Sequence, residues 1–259
     1  MGKIKTFKLS VDPQEQSPRK VYVYLPNGYE KSTDVYPVLY MFDGHNLFSD
    51  QTATFGKCWG IKKFLDKNDI PLVVIGQDCN HTGENRILEY CPFPNEEAKW
   101  FPKGEVSGML TAKWFAEKLK PVCEEKFRIY KDRDHVGIAG SSMGGLMSVY
   151  MITAYNHLYS KAACVSTTMD VNHEQIMSMI MQTEFSKKTR IYMDFGSNEV
   201  KAKKKFAVMV DRMLEISHAF SEKGCKTFPN VVVDGYHSEA TWETVVPLFL
   251  DYLYPELFD

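Results

Sequence analysis

Ser142 stands at the centre of Gly140-Ser141-Ser142-Met143-Gly144, a G-x-S-x-G pattern. A serine so placed can attack a carbonyl carbon as a nucleophile. The surroundings fit that chemistry. Val136-Gly137-Ile138-Ala139 has the character of a buried strand and Leu146 to Met151 that of a following helix. Strand, sharp turn and helix together make a nucleophile elbow. The turn is strained, so the positions two before and two after the nucleophile must be nearly free of side chain. Gly140 and Gly144 meet that need for Ser142, whereas Ser141 would have Ala139 and Met143. The helix also aims its first N–H groups and partial positive charge at the reacting oxygen. A serine here also makes an ordinary helix N-cap, so its partners must decide.

A serine hydroxyl becomes a strong nucleophile when a histidine takes its proton and a carboxylate orients that histidine. With this elbow, the acid and then the histidine follow the serine in the chain. His157, His173, His218 and His237 do so. His157 and His218 fall in helical patterns and His173 opens one. His237 follows the strand-like run through Val233-Asp234 and is the expected base; an idle surface-turn histidine is the bland alternative. The acid belongs near the end of the strand-like Arg190 to Phe195. Asp194 is the penultimate residue of that run. Glu199 lies beyond it in the Gly196-Ser197-Asn198 turn, where a longer side chain can reach the His237 loop. Glu199 is the expected acid and Asp194 its competitor.

A tetrahedral intermediate needs two N–H donors, one from the residue after the nucleophile and one from an earlier strand's C-terminal loop. Met143 supplies the first. Phe42-Asp43-Gly44-His45 supplies the second, with the amide of His45 expected to donate. Asp43, His45, Asp78 and His81 are also metal-ligating residue types, but their spacing matches no ligand motif. No metal or other cofactor is expected.

The elements that must position these groups are legible as short runs of β-branched and aromatic residues. They are Lys3 to Leu9, Lys20 to Leu25, Pro37 to Phe42, Leu72 to Gly76, His135 to Ala139, Lys161 to Val165, Arg190 to Phe195 and Asn230 to Asp234. Helical spacing marks Ala112 to Phe127, Met143 to Tyr155, Ala202 to Glu222 and Ser238 to Tyr254. This order predicts an α/β protein: a mostly parallel central sheet with helices on both faces, and the strand C-termini along one edge. Without repeats or linkers, residues 1–259 are expected to form one domain. The connections Gly44 to Lys57 and Asp78 to Gly108 are long and carry aromatic residues, among them Tyr90, Phe93, Trp100 and Phe101, so they are expected to wall a substrate site.

The 259 residues are 44% hydrophobic and 25% charged, with a formal net charge of -2. That balance gives no electrostatic footprint for nucleic acid or an anionic membrane, and no apolar run is long enough to span a bilayer. The six cysteines are scattered without a C-x-x-C pair, which suits a reducing cytoplasm, with export of a longer precursor the alternative. Met-Gly at the start, with Thr6, satisfies a loose myristoylation pattern, but the alternation Ile4, Phe7, Leu9, Val11 suggests a strand at once.

"DGHNLF", "GIAGSSMGGL", "DFGSNE" and "GYHSEATWE" together resemble the esterase-D-like branch of the α/β-hydrolases, which includes feruloyl and acetylxylan esterases, siderophore esterases and mycolyltransferases. The resemblance implies an α/β-hydrolase fold, with Ser142 as nucleophile, His237 as base and Glu199 as acid. It implies the amides of His45 and Met143 as the oxyanion hole. "RILEY", Arg86 to Tyr90, is similar to the family's R-x-x-E-Y segment near the substrate cleft. With Trp100 from the aromatic loop, Arg86 and Tyr90 are the expected substrate-binding residues. The expected activity is hydrolysis of small-molecule or oligosaccharide esters, such as acetyl or feruloyl esters of carbohydrates, through an acyl-enzyme. Acyl transfer to a sugar or lipid hydroxyl and non-catalytic binding are the competing readings. The sequence leaves the oligomeric state open.

A serine-directed phosphonate should form one adduct, mapped by mass spectrometry to Ser142. Ser142→Ala should lower kcat at least about a thousandfold, while Ser141→Ala keeps a larger fraction. An adduct on Ser141 would reverse the assignment.

Overall fold

The computed structural model describes residues 1–11, 18–95 and 100–258. Alternating β-branched and aromatic residues form β1 (Lys3–Leu9) and β2 (Arg19–Leu25), an antiparallel pair in register from Lys3↔Leu25 to Leu9↔Arg19. Strands and helices then alternate: β3 (Val38–Met41), α1 (Ile61–Lys67), β4 (Val73–Gln77), α2 (Asn85–Glu89), α3 (Gly108–Trp114), α4 (Lys120–Lys126), β5 (Val136–Ser141), α5 (Met143–Ala154), β6 (Lys161–Val165), α6 (His173–Gln182), β7 (Arg190–Gly196), α7 (Lys203–Glu222), β8 (Lys226–Val232) and α8 (Glu239–Leu253). The sheet runs β1-β2-β4-β3-β5-β6-β7-β8. β2 pairs with β4 antiparallel, and every pair from β4 to β8 is parallel. Among the described residues no helix is long and apolar enough to cross a membrane.

Two apolar layers sandwich the sheet. Successive side chains of a strand point to opposite faces. Val38 and Tyr40 therefore join one layer with Phe115, Val149 and Phe220, while Leu39 and Met41 join the other with Trp59, Trp242 and Phe249. α5 is buried all round from Met143 to Thr153, as a helix leaving the middle of such a sheet must be. Its polar side chains bond within the helix: Ser148 and Thr153 hydroxyls donate to the carbonyls of Gly144 and Val149, both at 2.8 Å. All six cysteines are free and buried.

Four features differ from the sequence-based expectation. The helix expected at Ala112 to Phe127 begins at Gly108 and is interrupted by a π turn over Phe115–Leu119. Pro121 follows it. Proline has no N–H to give and its ring crowds the carbonyl one turn back, which a widened turn relieves. β8 starts at Lys226 rather than Asn230 and contains Pro229. It is an edge strand, where a proline can stand without losing a ladder bond. The short helices α1 and α2, too brief to show a period, were not legible; α2 lies within the long aromatic connection, whose residues 96–99 are outside the described residues.

One close approach sets the edge beside β5. Gly44, just past β3, lies against Gly76 in β4. A methyl group at Gly76 would fall 2.6 Å from both Gly44 Cα and Leu47 Cδ1. Gly76→Ala should therefore lower the melting temperature by about 3 to 8 °C, as overpacking of a filled site does in a chain of this size. An unchanged transition would contradict so tight a contact.

Candidate active site

Parallel strands deliver their C-terminal ends to one edge, and the expected residues gather there. Ser142 follows β5 with φ 59° and ψ -122°, a conformation that side chains other than glycine rarely adopt. The chain can turn so sharply because Gly140 and Gly144 nearly touch: a Cβ on Gly140 would lie 2.6 Å from the Gly144 carbonyl carbon. Ser142 is tied to the loop after β6. Its N–H donates to Val165 O at 3.0 Å, and its carbonyl accepts from Thr168 N–H at 3.3 Å. Its hydroxyl meets Thr168 Oγ1 at 3.3 Å, a long contact that leaves the rotor easy to turn. No hydrogen bond among the described residues joins Ser142 Oγ to His237.

The loop after β7 carries Glu199, and His237 precedes α8. Glu199 Oε2 lies 2.7 Å from His237 Nδ1. The carboxylate side chain is 1% exposed and the imidazole 43%. The other oxygen, Oε1, accepts from the Gly196 N–H and the Ser166 hydroxyl, each at 2.6 Å. Ser166 Oγ in turn accepts from Trp242 Nε1–H at 2.8 Å, and the Trp242 ring stands edge-on to His237 with centroids 5.4 Å apart. A buried carboxylate is tolerable because three donors surround it. Nδ1 is thereby engaged, leaving Nε2 as the atom available for proton exchange.

Asp194 has a different place. Its Oδ1 accepts from Ser166 N–H and its Oδ2 from the Tyr192 hydroxyl, both at 2.8 Å. Burial drives its pKa up to about 7; the Ser166 and Tyr192 hydrogen bonds oppose the rise and the Glu199 charge adds to it. No bond joins it to His237. It organises the backbone beneath the turn.

Past β3, Asp43 adopts left-handed geometry with φ 56° and opens a 3-10 turn over Gly44–Asn46. Among the described residues the N–H groups of His45 and Met143 make no internal hydrogen bond, as donors reserved for a ligand should. Arg86 clamps Asp43 with two 2.7 Å bonds, Nε to Oδ1 and Nη2 to Oδ2. Tyr90, expected on the substrate wall, is corrected: its side chain is 0% exposed. Its hydroxyl donates to Gln77 Oε1 at 2.9 Å and takes the Asp43 N–H at 3.4 Å. Arg86 likewise spends its guanidinium on Asp43 and stacks over the Tyr90 ring. The pair braces the His45 turn; Tyr90 offers no surface to substrate, whereas the Arg86 side chain stays 30% exposed. Trp100 is half exposed, edge-on to Phe101.

Of the residues considered as metal ligands, Asp43 is occupied by Arg86, but His45, Asp78 and His81 come together and Cys79 joins them. The supporting residues Ser166, Thr168, Trp242 and Gln77 escaped the sequence reading. Only Trp242 had a signal, five residues after His237 in "GYHSEATWE".

An eight-stranded, mostly parallel sheet with a strained serine at its edge defines a serine hydrolase of the α/β-hydrolase fold. An IroE-like serine hydrolase from Shewanella oneidensis superposes with a TM-score of 0.73 at 16% identity, covering 99% of this chain and 80% of that one. A ferulic acid esterase gives 0.69 at 18% identity, covering 98% and 97%. In sequence, uncharacterized protein YbbA of Bacillus subtilis (strain 168) is 24% identical over 220 residues, 84% of each chain. The family described as "Putative esterase" matches residues 14–247. The chain belongs to that esterase family and is an enzyme, a serine ester hydrolase.

Asp194 generates a pH test. Its carboxyl ionises near pH 7 when folded but near its ordinary 3.8 when unfolded. Its contribution to stability is therefore present below about pH 4 and is lost as pH rises toward 7, by up to about 4 kcal/mol. Asp194→Asn removes this titration. Denaturant melts should show wild type losing stability relative to Asp194→Asn between about pH 4 and 7, with the gap levelling off above that. A constant gap would place the ionised carboxylate in the fold at neutral pH.

Proposed function

We propose that the protein is a carboxylesterase working through an acyl-enzyme on Ser142, with His237 as general base and Glu199 as its orienting acid. The observation that carries this reading is the 2.7 Å contact from the buried Glu199 carboxylate to His237 Nδ1, on the same sheet edge as the strained Ser142. As the Ser142 hydroxyl turns from Thr168 to the substrate carbonyl, His237 Nε2 takes its proton. The Oγ–C bond forms, and the carbonyl π electrons move to oxygen, which the amides of His45 and Met143 receive. Glu199 stabilises the imidazolium without taking its proton. Collapse breaks the bond to the alcohol, which leaves with the proton from His237. Water, deprotonated by His237, then releases the acid and regenerates Ser142.

The substrate class we propose is soluble esters of acetyl or phenolic acids, with feruloyl esters of carbohydrates as the leading case. The fold likeness to a ferulic acid esterase supports it. So does the supply of exposed rings next to site residues in the chain. Phe55 follows Thr54, which is bonded to His45, Tyr236 precedes His237, and Trp100 stands in the loop past β4. Flat rings favour a flat aromatic acyl group over a bare acetyl.

Two measurements test this. Glu199→Gln keeps the shape and removes the charge, so kcat should fall by up to about ten-thousandfold with the fold retained; near-normal turnover would remove Glu199 from the mechanism. Tyr236→Ala and Trp100→Ala should each raise KM for a feruloyl ester about tenfold and leave an acetyl ester nearly unchanged. Equal effects on both esters would rule out aromatic recognition.

A further inference from the structure

Past β4 the chain runs Asp78-Cys79-Asn80-His81, and β4 pairs in parallel with β3, after which His45 falls. The contact of Gly44 with Gly76 draws the two loops together. One donor atom from each of His45, Asp78, Cys79 and His81 lies within 4.8 Å of every other. His45 Nδ1 is 2.7 Å from Asp78 Oδ1, and His81 Nε2 is 2.8 Å from the same oxygen. Cys79 Sγ is 3.9 Å from His81 Nδ1. The His45 and His81 rings meet edge to face at 4.6 Å.

His45 is 5% exposed, and its Nδ1 is a buried nitrogen without a hydrogen-bond partner among the described residues, for the 2.7 Å approach to Asp78 is close in distance but lacks hydrogen-bond alignment. The far side of the ring is fixed: Nε2 meets Thr54 Oγ1 at 2.9 Å, and the Thr52 hydroxyl donates to the His45 carbonyl at 2.7 Å. With Nε2 engaged by Thr54, Nδ1 is the ring atom that faces the Asp78 carboxylate. A cation bound by both groups gives this buried nitrogen a partner, and a hydrogen bond at the far ring nitrogen is the usual support of a metal-bound histidine.

We propose that His45, Asp78, Cys79 and His81 form a binding site for a zinc-class divalent cation that pins the His45 turn to the end of β4. Two imidazoles, one thiolate and one carboxylate suit zinc, whereas calcium and magnesium want oxygen nearly throughout. The charges of Asp78 and the Cys79 thiolate neutralise a divalent ion. A tetrahedral zinc spaces its ligand atoms about 3.3 to 3.8 Å apart, so the donors need shifts below about 1 Å. The His81 side chain, 56% exposed, gives the ion its way in. Binding breaks the Cys79 S–H bond and releases that proton to solvent as the sulfur–metal bond forms. The ion is a fastener and takes no part in acyl transfer.

The test uses the full chain stripped with chelator and titrated with zinc by calorimetry, then with cobalt(II) by absorption. Wild type should take up one equivalent, show a thiolate-to-cobalt charge-transfer band, and melt about 5 °C higher at a hundredfold excess over Kd. His81→Ala should bind at least about tenfold more weakly, and Cys79→Ser should lose the charge-transfer band. The metal-free melts of wild type and His81→Ala, run in parallel, measure what the His81–Asp78 and His81–His45 contacts contribute without the ion, and the zinc-induced rise should be smaller in the variant. No uptake at micromolar metal would overturn the proposal. So would uptake that is unchanged in both variants, because it would lie at surface histidines such as His157 or His218.

Discussion

The site depends on one backbone conformation, the positive φ of Ser142 between β5 and α5. Such geometry costs on the order of 1–3 kcal/mol and persists only where its surroundings leave no alternative. Here β5 is locked between β3 and β6, α5 is buried over nearly its whole length, and Gly140 and Gly144 let the two backbones close upon each other. The strain lifts the hydroxyl clear of the sheet edge and leaves the Met143 N–H without an internal partner among the described residues.

A chain of donors depends in turn on that edge. Trp242 donates to Ser166, Ser166 to Glu199, and Glu199 faces His237. The links come from the ends of β6 and β7 and from α8, so their separation is set by sheet spacing rather than by a flexible loop. On the proposed mechanism this fixes Nδ1 and leaves Nε2 for the serine proton. Asp194, two residues before the end of β7, holds the Ser166 N–H and steadies the same network from beneath.

The strands and the elbow were legible because their signals are local: β-branched runs, and glycines two residues either side of Ser142. The choice of Glu199 over Asp194 came from place in the chain, since a residue past the strand end can turn toward the next loop; the contact with His237 has that geometry. Tyr90 misled because an aromatic residue in a long connection looks alike whether it walls a cleft or fills one. Its burial follows from the bond to Gln77 in β4, which no spacing announces. The grouping of His45 with Asp78, Cys79 and His81 was invisible for the same reason. Thirty-odd residues separate its parts, and only the parallel register of β3 on β4 closes the gap.

The covalent intermediate is the most direct test of the central claim. Rapid mixing with a chromogenic ester should give a burst of released alcohol equal to one equivalent of enzyme. Quenched samples should carry a mass increase of one acyl group on the peptide containing Ser142. A linear release without any adduct, or an acyl group on another residue, would contradict the account.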